Sequence, residues 1–467
     1  MSCNSQNCCQ SGCYKDTILD DREEVSLALT NAPNEMPFNS VSAGSGRNHP
    51  ENSVLCVKCK LNESMASTSA EYNTDSDISR FCGNCFRSNL YGKFRLAVSS
   101  NALISPSDNV LVAFSGGTSS RVALQFVHEM QLKALKNFEA SRDRSLPVFG
   151  VGVVFIDERS SLAVPTLEFD KAIEDMKLIV SNIAPPAKKL HVVPTEDIFP
   201  LDSIDGRERF KELVDAVHDD TGREDLVKYL RMLSLQKVAQ DYGYSKIVLG
   251  TCTSRIACHV LEATVKGQGY SLAADIQYVD ARWKIPVILP LRDCLSQELN
   301  ILCNLDSLKT IDAFKGHHSG INALITSFVK LLQAENPSRE STIFRTAGKL
   351  TPFRFNRMPE ADDLNSKLAT QRRQKKYNLK PNESLPPESF CRICNAPLKL
   401  SDVKSCNLEN GTLSAEVIRD KCCMSCQFQV LPKDTSVLEQ FFSLFPQQME
   451  VQTEYNSSSE ERLQTLR

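Results

Sequence analysis

The sequence predicts an α/β protein whose parallel sheet carries helices on both faces and is flanked by two small four-cysteine modules. Three observations predict this fold class. Between residues 105 and 335, short apolar runs alternate with amphipathic helical patterns. The first apolar run ends in a Ser-Gly-Gly turn that leads directly into a helical pattern. Pairs of CxxC motifs stand before and after this region.

Short apolar runs bounded by turn residues are typical of buried parallel strands. Five such runs are Val110 to Phe114, Pro147 to Asp157, Leu190 to Val193, Ile247 to Leu249 and Ile285 to Leu289. Apolar residues at helical spacing predict helices that follow the first run, near Thr166 to Ile183, over Asp225 to Tyr242 and near Arg255 to Val265.

The turn after the first strand is the first candidate site. Glycines let a ligand approach the backbone, and the free N–H groups at a helix N-terminus attract anions. Hydroxyl side chains add donors and helix caps. The predicted phosphate or nucleotide site comprises Ser115, Gly116, Gly117, Thr118, Ser119 and Ser120. The alternative is a tight strand–helix connection without a ligand.

Other polar residues also fall at predicted strand ends. Ligands of parallel sheets bind outside the carboxyl ends of the strands. Gly250 to Thr253 and Arg292 follow two predicted strands, so we expect one cleft with the first turn. Asp157 ends another strand and is a candidate contact to a nucleotide ribose or adenine, or alternatively a helix cap.

The cysteine content predicts metal sites rather than disulfides. The chain has 18 cysteines and its first residues lack an apolar signal core, so we expect reduced thiols in the cytosol. Two CxxC knuckles can close a tetrahedral zinc site. The first pair consists of Cys56, Cys59, Cys82 and Cys85. Alternatively, these cysteines pack as small hydrophobic residues or have lost an ancestral metal.

A second knuckle pair predicts a zinc-ribbon-like module by the same reasoning. Its expected ligands are Cys391, Cys394, Cys423 and Cys426, with Cys422 as an alternative. The small core of this ribbon is expected to contain Phe390, Ile393, Phe428 and Val430.

Composition divides the chain into six predicted segments. They are a disordered tail at 1–50, the first module at 51–100, the α/β domain at 105–335, a basic linker at 336–386, the second module at 387–432, and a C-terminal helix and frayed tail at 433–467. The net charge of -3 restricts nucleic-acid contacts to local basic patches. The sequence contains no run of about 18 apolar residues, so no membrane contact is expected.

Two stretches have the composition of RNA-binding segments. Arg372, Arg373, Lys375 and Lys376 are predicted to contact phosphates, although short charge runs are often solvated helix faces. The second stretch, residues 86–98, interleaves aromatic and basic residues. It fits either RNA stacking or an ordinary helix that packs its aromatic side.

The segment SGGTSS, Ser115 to Ser120, resembles the pyrophosphate loop of the PP-loop ATPases. That resemblance implies a loop whose amides and hydroxyls hold pyrophosphate while ATP adenylates a carbonyl oxygen. The family's usual motif has an acid just before the last serine, where this chain has Ser119.

The order of the two cysteine modules around this domain resembles the tRNA 2-thiolation branch of the family. In catalytic members of that branch, a CxxC-type motif precedes an Arg-rich helix, and a strand ends in a Gly-His-x-x-Asp-Asp-type segment. The equivalent helix here, from Asp225, contains no cysteine, and the strand end reads GTCTSR from Gly250. The region near Leu305 to Thr310 lacks the second sulfur-handling cysteine. Cys252 is the weak remaining candidate for a sulfur carrier.

The segments GTCTSRIA and KGQGYSL, within Gly250 to Leu272, together with the two cysteine modules, resemble the cytoplasmic tRNA 2-thiolation protein 2 family. The resemblance implies a non-catalytic subunit that forms a heterodimer with the catalytic tRNA 2-thiolation subunit. It implies tRNA as substrate and a ubiquitin-related sulfur carrier with a C-terminal thiocarboxylate. Zinc is the expected metal, and ATP is a possible ligand of the loop. The alternatives are a self-sufficient ATP-dependent thiolase that uses Cys252, and a zinc-bearing RNA-binding or assembly protein unrelated to thiolation.

Overall fold

A six-stranded sheet forms the centre of the chain in the computed structural model. The structure describes residues 55–65, 80–141, 147–161, 165–199, 205–311, 320–336, 338–350, 390–398 and 419–446. The strands are β1 (Asn109–Ala113), β2 (Gly150–Asp157), β3 (Lys189–Pro194), β4 (Lys246–Val248), β5 (Val279–Asp280) and β6 (Val287–Ile288). Their order is β3-β2-β1-β4-β6-β5, and only β5 runs antiparallel to its neighbour among them.

Helices connect and flank the strands. They are α1 (Gly83–Ser100), α2 (Thr118–Ala140), α3 (Thr166–Ser181), α4 (Gly206–Asp215), α5 (Asp220–Asp241), α6 (Thr253–Val265), α7 (Gly269–Asp275), α8 (Ser296–Leu305), α9 (Gly320–Glu335), α10 (Ser338–Ala347), α11 (Met424–Gln429) and α12 (Thr435–Ser443). A single 3-10 turn, Thr195–Ile198, follows β3.

The core has two layers because successive side chains of a strand point to opposite faces. Val110 and Val112 of β1 pack with α1, α2, α3 and α8 on one face. Leu111, between them, packs with α5 on the other face. Helices on both faces cover the central strands β1 and β4, which explains why these strands are apolar runs rather than alternating sequences.

The predicted fold class is confirmed. The five predicted strands correspond to β1, β2, β3, β4 and β6, and the four predicted helices correspond to α2, α3, α5 and α6. The sequence missed β5, which pairs Val279 with Ile288 and Asp280 with Val287. Two residues are too few to show an alternating pattern.

Residues 86–98 form part of α1, so the structure agrees with the packing interpretation of this stretch. Phe86, Tyr91 and Phe94 are buried on one side of the helix. Tyr91 and Phe94 contact the ring of Phe126 on α2, with centroid distances of 5.2 and 5.4 Å. The aromatic rings therefore stabilise the packing of α1 against α2.

The second cysteine module is not an appendage, because it shares a hydrophobic core with α4 and α5. Cys391, Ile393 and Cys426 pack in one cluster with Leu226 and Leu230 of α5. The expected ribbon core was wrong at Phe428, which is 75% exposed. This residue lies on α11, whose buried side faces α5 with Ser425 and Cys426 instead.

The α10 helix occupies the first part of the predicted basic linker. Ile343, Phe344 and Ala347 pack against Ile256 and Val260 of α6. The predicted RNA contacts Arg372, Arg373, Lys375 and Lys376 lie outside the described residues, as do residues 1–54 and 447–467.

We expect Gly222→Ala to destabilise the protein, although alanine favours a helix over glycine by about 1 kcal/mol. A Cβ at position 222 would lie 1.9 Å from the Gln429 carbonyl oxygen, so the second module would have to move away from α5. Such overpacking costs roughly 1–3 kcal/mol beyond the helix gain. Urea unfolding measures the free energy.

Gly92→Ala in α1 is the matched control, because nothing lies within 4 Å of its added Cβ. This variant should gain stability by roughly 0.5–1 kcal/mol. Equal stabilisation of both variants would contradict the close packing of α5 against the second module.

Candidate functional site

The turn between β1 and α2 has the shape of an anion-binding loop. Gly116 adopts a φ of 81°, and Gly117 precedes the first residue of α2 as its N-cap. The Ser120 hydroxyl donates to the Gly117 carbonyl oxygen at 2.9 Å and lies 3.2 Å from the Ser115 hydroxyl. The first amides of α2 have no intrahelical acceptors, as at any helix N-terminus, so they can serve an anion.

Gly116 is required by its surroundings as well as by its conformation. A Cβ there would lie 2.9 Å from the Cβ of Ile311 and 3.1 Å from the methyl group of Met176. The Ile311 amide donates to the Gly116 carbonyl oxygen at 2.9 Å. The chain that follows α8 therefore closes over the turn and holds it in place.

The end of β4 meets the same turn. A Cβ on Gly250 would lie 2.7 Å from backbone atoms of Ser119 and Ser120, so only glycine allows this approach. The Ser119 hydroxyl is 3.8 Å from the Cys252 sulfur. The Thr253 hydroxyl donates to the Arg292 carbonyl oxygen at 2.8 Å. The structure thus brings together three of the four predicted strand ends.

Asp157, at the fourth predicted strand end, is engaged by a neighbouring residue. Its carboxylate accepts the Arg159 amide at 3.0 Å and the Arg159 Nε at 2.8 Å. The side-chain hydrogen bonds and the charge of Asp157 outweigh burial and raise the pKa of the Arg159 guanidinium. Asp157 therefore caps a turn that precedes α3, not the helix itself.

The Arg292 side chain is turned into the protein. Its guanidinium lies between the rings of Tyr278 and Phe344, at 4.8 and 4.6 Å from their centroids. Its Nε donates to the Ile276 carbonyl oxygen. Arg292 thus fastens α10 to the sheet edge through cation–π contacts.

A partly buried ion pair at the end of β2 was missed from the sequence. Glu158 directly follows β2, and both of its carboxylate oxygens accept hydrogen bonds from Arg231 on α5. Burial would lower the pKa of Arg231, but the charge of Glu158 overcomes that effect and raises it. Residues 73 positions apart give no local pattern from which this pair could be recognised.

The described thiols near the cleft are poorly suited to sulfur transfer, which requires an accessible thiolate. Cys252 has no exposed surface. Burial raises the pKa of Cys258 to about 11 and that of Cys303 to about 11. Burial also raises the pKa of Cys294 far above its usual range. Cys294 lies directly before Leu295, the N-cap of α8.

The first four-cysteine group converges on one point. The sulfur atoms of Cys56, Cys59, Cys82 and Cys85 all lie within 4.8 Å of one another. A tetrahedral metal with bonds of about 2.3 Å needs sulfur atoms roughly 3.8 Å apart. Cys59 and Cys82 have that separation, 3.8 Å. Burial opposes ionisation of Cys56, but hydrogen bonds to backbone groups at Cys59, Cys82 and Lys58 lower its pKa to about 6.

The second four-cysteine group has the same form. The sulfur atoms of its four members also lie within 4.8 Å of one another, and they are those of Cys391, Cys394, Cys423 and Cys426. Cys394 and Cys423 approach to 3.5 Å. Cys422 is buried and does not belong to the group. Both groups could hold a metal ion.

A chain of polar contacts joins the first module to the helix that begins at the turn. Arg121 of α2 donates to Gln125 at 3.1 Å, and Gln125 donates to Glu129 at 3.0 Å. Glu129 accepts from Arg87 of α1 at 2.5 Å, and Arg87 also pairs with Asp306 at 2.8 Å. Displacement of α1 would therefore disturb the helix that carries the anion-binding turn.

A parallel sheet whose first strand ends in this Ser-Gly-Gly turn, beside the close-packed end of β4, defines the PP-loop class of α/β proteins. Relatives then define the family. A cytoplasmic tRNA 2-thiolation protein 2 from Arabidopsis thaliana is 56% identical over 449 residues, which cover 96% of this chain and 93% of the relative. The chain therefore belongs to the cytoplasmic tRNA 2-thiolation protein 2 family.

More distant relatives carry the same name. The protein from Oryza sativa subsp. indica is 53% identical over 78% of this chain and 79% of its own length. The human protein is 26% identical over 64% of this chain and 68% of its own length. No protein-family model matches the sequence.

Among solved structures, the U34-tRNA thiolase of Methanococcus maripaludis with its 4Fe–4S cluster is similar with a TM-score of 0.47 and 16% identity. The similarity covers 68% of this chain and 93% of that chain. None of the helices in the described ranges has the length and apolar content that crossing a membrane requires.

We expect Cys82→Ser and Cys426→Ser each to lose about one metal equivalent per chain, because three thiolates and a hydroxyl bind a soft metal weakly. Elemental analysis of the purified full chain measures the metal content. Cys422→Ser is the matched control, since it removes a buried thiol next to the second group and should keep both equivalents. Metal loss from the control alone would show that the ligand set is wrong.

Proposed function

We propose that this chain is the non-catalytic subunit of a cytosolic complex that places sulfur at C2 of the wobble uridine in the Lys, Glu and Gln tRNAs. The proposal rests on two features of the strand-end cleft, its loop geometry and the burial of its thiol. The turn at Gly116 keeps the form of a phosphate loop, while the thiol beside it, Cys252, is completely buried. A cleft whose adjacent described thiol, Cys252, is inaccessible would depend on a partner for the sulfur chemistry.

The partner in this proposal is the catalytic tRNA 2-thiolation subunit, and sulfur arrives from a ubiquitin-related carrier with a C-terminal thiocarboxylate. Family membership supports this assignment, because the relatives are named for cytoplasmic tRNA 2-thiolation. The neutral-to-acidic chain would contribute to tRNA binding through local basic segments such as Arg372 to Lys376.

Zinc is the metal proposed for both cysteine groups. Four thiolates within 4.8 Å fit one tetrahedral ion, whereas an iron–sulfur cluster places several iron and sulfide atoms between its thiolates and needs a wider cage. Zinc in these sites would stabilise the two modules and carry out no redox step. Iron together with acid-labile sulfide in the purified chain would contradict this assignment.

The turn supports ATP or its phosphates as a structural ligand. Its helix amides and hydroxyls can donate hydrogen bonds to an anion. Ser119, however, stands where catalytic relatives in the wider class carry an acid, and its hydroxyl faces Cys252. We therefore propose binding without turnover. Equilibrium dialysis with ATP measures the former, and release of pyrophosphate in the presence of tRNA measures the latter.

We expect Cys252→Ala to leave wobble-uridine thiolation unchanged, because a thiol with no exposed surface cannot reach a substrate. The measurement is mass analysis of tRNA nucleosides from cells in which the variant replaces this chain. An unaltered thermal unfolding midpoint shows that the variant is folded. Lost thiolation in a folded variant would favour the alternative of a self-sufficient thiolase.

We expect the isolated chain, given ATP, tRNA and a sulfur donor, to leave uridine unmodified, and the complex with the catalytic subunit to modify it. Recovery of that subunit from cytosol with the tagged chain tests the partner directly. Normal wobble-uridine sulfur in cells lacking this chain would instead favour the assembly-protein alternative.

A further inference from the structure

The α9 helix carries an apolar stripe that no described residue covers. Leu324, Phe328 and Leu331 are 73%, 51% and 65% exposed. Their spacing of four and three residues places them on one face of the helix. The other face is anchored, since Ile325 and Val329 are buried. The exposed stripe is therefore the outer side of a packed helix.

Polar contacts fix the orientation of α9. Asn322 donates to Glu224 and Asp225 of α5, each at 3.1 Å, and accepts from Lys266 at 3.1 Å. Lys266 pairs with Asp225 at 2.7 Å. Asn322 and Lys266 are both buried, so this network holds α9 against α5 and the end of α6. The apolar stripe is presented on a rigid support.

The second cysteine module contacts α5 at the place where α9 begins, and it also carries exposed apolar residues. The Ile321 amide donates to the Thr221 hydroxyl at 3.1 Å, which places the start of α9 on the start of α5. The carbonyl oxygen of Gln429, the last residue of α11, lies against the adjacent Gly222. The elements that bear the stripe and α11 thus meet at the first turn of α5.

Three further exposed apolar residues lie on the elements that meet at this corner. Met424 and Phe428 of α11 are 55% and 75% exposed, and they share one face of their helix. Val265, which directly precedes Lys266, is 62% exposed. A second contact, from Gln268 to Ser425 at 2.9 Å, joins the end of α6 to α11. We call the six residues the corner patch: Val265, Leu324, Phe328, Leu331, Met424 and Phe428.

The size and chemistry of the corner patch indicate a protein partner. Aromatic side chains present roughly 150–250 Å² each and aliphatic ones somewhat less, so six that are more than half exposed offer on the order of 600 Å². That area approaches the ~800 Å² per partner of a stable protein interface and lies at the top of what monomers leave exposed. Six uncharged side chains offer nothing to a polyphosphate backbone, which is held by cations.

We propose that the corner patch binds the catalytic subunit of the thiolation complex. The inference rests on the proposed function, which requires such a partner, and it adds the surface used. The patch spans the α/β domain and the second cysteine module. The catalytic subunit would therefore contact both parts at once, and binding would depend on an intact second metal site.

The test is the affinity of the purified full chain for the catalytic subunit. Leu324→Asp with Phe328→Asp should weaken binding at least ~100-fold, because charges would be buried in an apolar contact. Phe428→Asp should weaken it at least ~10-fold from the other module. Leu167→Asp with Leu178→Asp is the matched control, since these α3 residues are 83% and 53% exposed and α3 packs on the opposite sheet face from α5.

Two outcomes separate this inference from the proposed function. If the unaltered chain does not bind the catalytic subunit, the proposed function fails. If it binds and the α9 variant binds equally well, only the corner patch is wrong. Unchanged metal content shows that each variant is folded.

Two other occupants would also overturn the inference. A second copy is indicated if light scattering shows a homodimer that the α9 variant abolishes while binding to the catalytic subunit persists. A segment of the same chain is indicated if amides of residues 320–335 exchange equally slowly in the isolated chain and in the complex. The inference instead predicts slower exchange in the complex.

Discussion

Two glycines that have no room for a side chain determine the geometry of the strand-end cleft. Gly116 lies beneath Ile311, and Gly250 lies against the backbone of Ser119 and Ser120. Because Gly250 lets backbone contact backbone, the ends of β1 and β4 can approach each other closely, and the contact of Ile311 with Gly116 fixes the turn from which α2 starts. Hydrogen bonds from Arg121 through Gln125 and Glu129 to Arg87 connect α2 to α1. They therefore fix the position of the first cysteine module relative to the cleft.

The sequence was informative wherever structure follows from local pattern. Apolar runs located the parallel strands, and CxxC spacing located both sulfur clusters, because each depends on residues close together in the chain. It was uninformative where structure depends on distant contacts. Neither the Glu158–Arg231 pair nor the burial of Cys252 has a local signature. Phe428 was misassigned because apolar character alone does not tell which side of a short helix faces the core.

Twelve of the thirteen described cysteines fall into two physical groups. Eight described sulfur atoms converge in fours, which is the arrangement that a metal ion stabilises. Near the cleft, Cys252 has no exposed surface, and burial raises the pKa of Cys258, Cys294 and Cys303. The described cysteines are therefore arranged for metal binding or for packing, while the cleft has the backbone geometry of the PP-loop class. In the proposed complex, the catalytic partner would supply the reactive sulfur.

The shared core between α5 and the second cysteine module has a consequence for biosynthesis. Leu226 and Leu230 are buried partly by residues of the segments 390–398 and 419–446, about 160–220 positions later in the chain. At translation rates of roughly 5–20 residues per second, this face of α5 remains open for on the order of ten seconds or more after it emerges. The nascent polypeptide therefore exposes this apolar face during the interval, and a chain truncated before the last module would leave it uncovered by those residues.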